Sequence, residues 1–153
     1  MIDCTHDAPA LAALHAACFD RAWSEDAFAE LLKGDGVHAL GDTDGFIVIR
    51  CVADEAEILT LGVLPARRRA GLARKLVRAA LKLAVTRYQV RHVFLEVGAD
   101  NHGARDLYAG LGFICHGRRR QYYANIDALM MRCDLTQAGS RVFGDEKEGG
   151  AQI

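Results

Sequence analysis

No stretch of this 153-residue chain is apolar for long enough to cross a bilayer as a helix, and none has the make-up of a signal peptide. Neither sign of charge is in excess. Nineteen basic residues face twenty acidic ones for a net charge of −1, so no global field draws the chain to nucleic acid or to a membrane. The arginine clusters at 67–69 and 118–120 are therefore local devices. Cysteine is sparse and unpatterned: Cys4, Cys18, Cys51, Cys115 and Cys133 show neither CxxC nor metal-ligand spacing. We read Cys51, Cys115 and Cys133 as buried free thiols in or beside strands, expect no metal, and take the cytoplasm as the default location. Repeats, low-complexity tracts, the Walker Gly-Lys-Ser/Thr and the three-glycine dinucleotide fingerprint are all missing.

What remains is an ordinary globular composition, 51% hydrophobic and 25% charged. The length suits one domain, which we place over residues 1–135. From Thr136 to Ile153 the chain is polar and glycine-rich, and we read it as a mobile tail.

In chain order, Asp7 to Phe19 carries Leu11, Leu14, His15 and Cys18 on one helical face. Ser24 is an N-cap, with Glu25 and Asp26 in the first turn and Phe28, Leu31 and Leu32 following. Trp23 stands one residue before that cap, in the place of a packing staple. Val37–Leu40 and Gly45–Val52 read as a hairpin around Asp42-Thr43-Asp44-Gly45, and an acidic turn over Ala53–Ala56 leads into the next strand. His38, His92, His102 and His116 have no partner spacing and read as surface or strand-edge residues.

The stretch that organises the rest runs from Ile58 to Ala73. Ile58-Leu59-Thr60-Leu61-Gly62-Val63-Leu64 is a buried strand pattern that Pro65 ends. After Arg67-Arg68-Arg69-Ala70 a helix starts near Gly71 and continues to about Tyr88, with Leu72, Leu76, Ala79, Ala80 and Leu83 on its apolar face. Small residues at Gly71 and Ala73 let an anion approach N–H groups that lack intrahelical partners, where the dipole adds roughly half a positive charge. A strand, a small-residue turn and a basic helix start make a pyrophosphate cradle.

Val90–Val97 follows as a strand parallel to the first, since strand–helix–strand units close that way. Glu96 sits near its C-terminal end, where open α/β sheets hold ligands. Asn101, Ala104 and Tyr108 then share one face of a helix over 101–111, Gly112 stops it, and Phe113 opens a new strand. Arg68-x-x-Gly71-x-Ala73 after a strand resembles the acetyl-CoA pyrophosphate signature of the GNAT N-acetyltransferases, with Ala73 in place of the commoner second glycine. Leu95-Glu96-Val97, Asn101, Ala104, Leu107-Tyr108 and Leu111-Gly112-Phe113 resemble the second half of the same motif set. Within that family the chain is similar to the RimI-type alanine N-acetyltransferases through Trp23-Ser24-Glu25, Leu59–Val63, Leu95-Glu96-Val97, Arg119-Arg120-Gln121-Tyr122-Tyr123 and a closing strand at Asp127–Met131. It departs at Ala22, where proline usually precedes the tryptophan, and at Gly98, where arginine usually follows. The segment between Tyr123 and Asp127 is also short. These departures touch the acceptor side more than the acetyl-CoA side.

The resemblance implies an α/β fold with a mixed sheet splayed at its centre and helices on both faces, binding acetyl-CoA. It implies that Leu61, Gly62 and Val63 pair with the pantetheine arm as an added strand, with the Val63 N–H on the thioester carbonyl. Arg68, Arg69, Ala70, Gly71, Leu72, Ala73 and Arg74 would hold the pyrophosphate, and Asn101 the pantetheine side. Glu96, among apolar neighbours or through water, would take the proton of the amine. Tyr108 would protonate the departing thiolate, its phenol ordinarily having a pKa of about 10. Trp23, Tyr122 and Tyr123 would line the acceptor groove. The expected acceptor is the N-terminus of a protein, such as a ribosomal protein. A small-molecule amine or lysine acceptor, a non-catalytic acetyl-CoA-binding regulator, and an RNA-binding use of Arg118–Arg120 stay as alternatives. The last is disfavoured by the net charge.

Overall fold

In the computed structural model, residues 1–123 and 125–136 are described, Tyr123 by its backbone alone. The expected tail from 137 onward and the side chain of Tyr123 lie outside the described residues. The elements are β1 (Asp3–Thr5), α1 (Ala8–Cys18), α2 (Glu25–Leu32), β2 (Val37–Gly41), β3 (Gly45–Val52), β4 (Glu55–Val63), a 3₁₀ turn at Pro65–Arg67, α3 (Leu72–Tyr88), β5 (His92–Gly98), α4 (His102–Gly110), β6 (Ile114–Tyr123) and β7 (Ile126–Asp134). The strands form one seven-stranded sheet in the order β1-β2-β3-β4-β5-β7-β6.

Local chemistry sets most of the boundaries. Asp7 caps α1 by accepting from the Ala10 N–H, and Ser24 caps α2 by accepting from that of Ala27. In the β2–β3 turn the Asp42 carboxylate accepts from the N–H groups of Asp44 and Gly45. The acidic turn after β3 is shorter than expected, because β4 begins at Glu55, opposite Val52. Ala53, with φ 55°, makes that tight return. β1, three residues against β2, was absent from the sequence reading.

Two apolar layers sandwich the sheet. On one face α3 buries Leu76, Val77, Ala80, Leu81 and Ala84 against Ile47, Ile49, Ile58, Val93 and Leu95. The buried stripe thus centres on Val77, Leu81 and Ala84, while the expected Leu72, Ala79 and Leu83 flank it half-buried. On the other face Leu11 of α1 and Phe28 of α2 close over Val37, Ala39, Phe46 and Val48. Burying Leu11, Phe28, Phe46 and Val48 alone stabilises by roughly 6–12 kcal/mol before conformational entropy is counted.

Two sequence readings are corrected by these contacts. His38 is no surface bystander: its Nε2 meets the Tyr88 hydroxyl, tying β2 to the last turn of α3. Cys115 is exposed, unlike the buried Cys51 and Cys133, because β6 is the edge strand of the sheet and is exposed along most of its length.

The feature that matters for function lies between β4 and β5. They are parallel, as their crossover demands, but pair only over Glu55–Glu57 and His92–Phe94. Beyond those three steps β4 stays on β3 to Val63 and β5 stays on β7 to Gly98. The two strands therefore part toward their C-terminal ends, and a wedge-shaped gap opens in the middle of the sheet.

Candidate active site at the splayed strands

The β4 wall of this gap offers backbone groups of known orientation. The Leu64 N–H donates to the Asp44 carbonyl, which makes Gly45 and Val63 a non-hydrogen-bonded pair. The N–H and C=O of Val63 consequently point away from β3, into the gap, and those of Leu61, two residues back, do the same. Gly62 between them packs on its other side. A Cβ there would stand 2.7 Å from Cε1 of Phe46 and 3.1 Å from Sγ of Cys18. An extended chain laid along Leu61–Val63 would find a donor and an acceptor, as a strand added to an edge does.

Arg68, expected at the pyrophosphate, also has a partner on β4. Its Nε donates to the Val63 carbonyl at 3.0 Å, so part of its guanidinium straps the end of β4. It also meets the thiol of Cys18, which burial pushes up and Arg68 pulls back. Arg67 lies 3.6 Å from the Asp44 carboxylate. The cradle beyond is open. Arg69 (φ 66°) and Gly71 (φ 86°) both take the left-handed conformation, turning the chain into α3. Gly71 is the N-cap without any side-chain cap, and the first helical bond runs from Lys75 N–H to its carbonyl. That leaves the N–H groups of Leu72, Ala73 and Arg74 outside the helical ladder, and a Cβ on Gly71 would meet nothing within 4 Å. Space, orphan donors and arginines together fit a pyrophosphate.

The far end of α4 closes this side. A Cβ on Gly110 would touch Nη2 of Arg74 at 3.1 Å, so α4 leans on the first turn of α3. Two residues earlier Tyr108 is buried, edge-on to Phe113 with ring centroids 5.5 Å apart. Burial pushes its phenol well above the ordinary value, so the hydroxyl holds its proton until a strong base needs it. Asn101 uses its side-chain oxygen to cap α4, accepting from Ala104 N–H at 3.2 Å.

Glu96 comes from the opposite face. Val93, Leu95 and Val97 point into the α3 layer, where Tyr108 also sits, and the alternation of β5 sends Glu96 to the other side. The apolar surroundings expected for it are replaced by an ion pair: Nη2 of Arg119 lies 2.8 Å from its Oε1. Arg119 belongs to β6, and the same guanidinium lies 5.3 Å from the ring centroid of Tyr122. Arg118 pairs with Asp127, whose carboxylate also accepts from Gln121 N–H and is held below its ordinary range by that bond first and by Arg118 next. Two of the three arginines of this cluster are thus engaged inside the β6–β7 hairpin and across to β5.

Trp23 packs as a staple on Phe28, ring centroids 5.5 Å apart, yet 37% of it stays exposed beside the α1–α2 connection. Sequence reasoning missed what holds it. Its backbone N–H donates to Nδ1 of His15 at 3.1 Å, and the two rings stack. The only signal was a histidine on the apolar stripe of α1. Among the described residues no group of three or more His, Cys, Asp or Glu could hold a metal, and no helix is long and apolar enough to cross a membrane.

Comparison with known proteins agrees with this geometry. Residues 8–113 match the model of the acetyltransferase (GNAT) family. The chain is 36% identical over 141 residues to the N-alpha-acetyltransferase RimI of Mycobacterium tuberculosis, covering 84% of this chain and 87% of that protein. It is 33% identical over 109 residues to the ribosomal protein bS18-alanine N-acetyltransferase of Escherichia coli K12, covering 69% and 73%. The crystal structure of the ribosomal-protein-S18-alanine N-acetyltransferase from Escherichia coli superposes with a TM-score of 0.79 at 30% identity, over 88% of this chain and 92% of that one. GNAT enzymes take acetyl-CoA as co-substrate, and the cradle on α3 has the donors for its pyrophosphate. This chain belongs to the GNAT acetyltransferase family and is an N-acetyltransferase similar to the RimI enzymes.

Proposed function

We propose that this enzyme acetylates the free N-terminal α-amine of a protein, a ribosomal protein being the first candidate, with Glu96 as general base and Tyr108 as general acid. One observation carries the mechanism: the gap between β4 and β5 has Glu96 on one face of the sheet and the α4 layer holding Tyr108 on the other. The acceptor class draws its support from the relatives, which are named for N-alpha and ribosomal-protein-alanine acetylation.

In this reading the pantetheine arm lies along Leu61–Val63, the Val63 N–H faces the thioester carbonyl, and the cradle of Arg69 to Arg74 takes the pyrophosphate. Arg68 supports that wall and reaches the pyrophosphate with what its strap leaves available. Asn101 holds the start of α4 in place beside the arm. An α-ammonium enters from the side of Trp23 and Tyr122, and Tyr123 follows Tyr122 along β6. Glu96 takes a proton from the ammonium and the neutral amine attacks the thioester carbonyl. As the N–C bond forms and the C–S bond breaks, the Tyr108 hydroxyl gives its proton to the departing thiolate, the acylated nitrogen sheds its second proton to solvent to become the amide, and solvent restores the Tyr108 phenol. Positioned acid–base groups of this kind contribute about 10²–10⁴-fold each.

The test is acetyl transfer from acetyl-CoA to short peptides beginning with Ala, Ser, Met or Gly, beside an N-blocked lysine peptide and polyamines, followed by release of free thiol. Preference for a free N-terminal alanine is the expected result. Turnover of only polyamines or the blocked lysine peptide would overturn the acceptor assignment. Acetyl-CoA binding without turnover of anything would overturn the enzyme reading itself.

A further inference from the structure

His15 is the one titratable ring in an aromatic cluster beside the gap. Its centroid lies 4.4 Å from Phe19, 4.9 Å from Trp23, 5.6 Å from Phe28 and 5.9 Å from Phe46. Phe19 and Trp23 stack on it at 27° and 21°. The ring is buried and its Nδ1 accepts the Trp23 backbone N–H, so the proton of the neutral ring sits on Nε2. The end of α1 that carries this cluster reaches β4: Sγ of Cys18, three residues on, would stand 3.1 Å from a Cβ on Gly62. Among the described residues the ring's neighbours are aromatic. α2 offers Phe28 and β3 offers Phe46, while Asp20, Arg21, Glu25 and Asp26 are exposed. Cys18 and Arg68 meet each other beside Gly62.

We propose that His15 is a positioning residue for the acceptor side, holding Trp23 and the α1–α2 connection against the end of β4 through its unprotonated Nδ1. The inference rests on the reading that the acceptor enters past Trp23. An imidazolium has no acceptor nitrogen, so protonation strands the Trp23 N–H and places a charge between two ring faces. Burial already disfavours that form, and the connection should loosen only on acidification below about pH 6.5, the ordinary histidine value.

Trp23 is the only tryptophan, so its emission reports on this contact in the full chain without any acceptor. Emission should change through a single transition below about pH 6.5, and that transition should vanish in His15→Asn, whose side-chain oxygen can still accept but does not titrate. The acceptor KM should rise about fivefold across the same transition, the scale of one lost hydrogen bond, while acetyl-CoA affinity stays flat. His15→Phe keeps a stacking ring without the acceptor and should show the raised KM at every pH. Emission that is flat between pH 7.5 and 5, or a wild-type transition surviving in His15→Asn, overturns the inference. Emission is read without acceptor, so it decides the role of His15 even where every peptide in the acceptor panel fails, and His15→Asn decides it where His15→Phe does not fold.

Discussion

Arg119 on β6 reaches across β7 to Glu96 on β5, a 2.8 Å contact between residues 23 positions apart. The β6–β7 hairpin and the proposed base are therefore one mechanical unit. Removing the guanidinium should leave the fold nearly intact, since the Arg119 side chain is half-exposed and such pairs contribute about 0–1 kcal/mol. It should also leave Glu96 without a fixed direction. Arg119→Gln is expected to lower kcat/KM by about 10- to 100-fold, the scale for misplacing a catalytic group by an ångström, with little change in Tm. Steady-state kinetics beside a thermal melt checks both, and unchanged kinetics would remove Arg119 from the site.

Glu96→Gln and Tyr108→Phe should each cut kcat by about 10²–10⁴-fold while acetyl-CoA still binds. Tyr108→Phe keeps the edge contact with Phe113 and should hardly alter stability. Tyr108→Ala should add a cavity cost of about 3–5 kcal/mol on top of the lost activity. Full turnover by Tyr108→Phe would reduce Tyr108 to a packing residue. Isothermal titration with CoA separates binding from chemistry in all three variants.

The α3 cradle, the β4 strand and the helix carrying Tyr108 were legible in the sequence because each is local. Glycine, proline and apolar periodicity within about 15 residues dictate them. What could not be read is non-local. The three-step limit on β4–β5 pairing depends on how far two strands diverge after a common start, and no residue of either strand announces it. The Arg119–Glu96 pair needs β7 to lie between β5 and β6, an order that chain succession does not give. His15 looked like one more member of an apolar stripe, because its hydrogen bond goes to a backbone N–H eight residues away. Three-residue β1 carries too little pattern to stand out. Cys115 looked buried because the edge position of β6 is a property of strand order, not of composition.

The two glycines of the proposed cofactor path should fail in different ways. At Gly62 the limit is space, since a Cβ would lie 2.7 Å from Phe46 and the ring belongs to the His15 cluster. Gly62→Ala is expected to cost about 1–3 kcal/mol of stability and to shift the Trp23 emission. At Gly71 a Cβ has room, and only the left-handed φ of 86° resists it, at about 1–2 kcal/mol. If the turn relaxes to relieve that strain, the donors of Leu72–Arg74 turn with it. Gly71→Ala should therefore weaken acetyl-CoA binding while leaving Trp23 emission untouched. Urea unfolding, CoA titration and emission together separate the two.

Acid should loosen this protein through its histidines before its carboxylates. Burial lowers the pKa of His15, and burial followed by the charges of Arg87 and His6 lowers that of His38. A group whose folded pKa is depressed binds fewer protons in the native state than in the unfolded chain. Its contribution is thus complete above the unfolded value of about 6.5 and is lost as pH falls through the folded value. Asp127, also depressed, follows the same sign in a lower window, below the ordinary carboxylate pKa of 3.8. Urea midpoints for the wild type should be level between pH 7.5 and 6.5 and fall toward pH 5. His15→Asn and His38→Gln should each flatten part of that fall, and the double variant most of it. The two rings sit in different apolar clusters, one against Phe28 and one against Tyr88, so their effects should add. Midpoints that rise on acidification over this range would mean that the rings are held charged, not neutral.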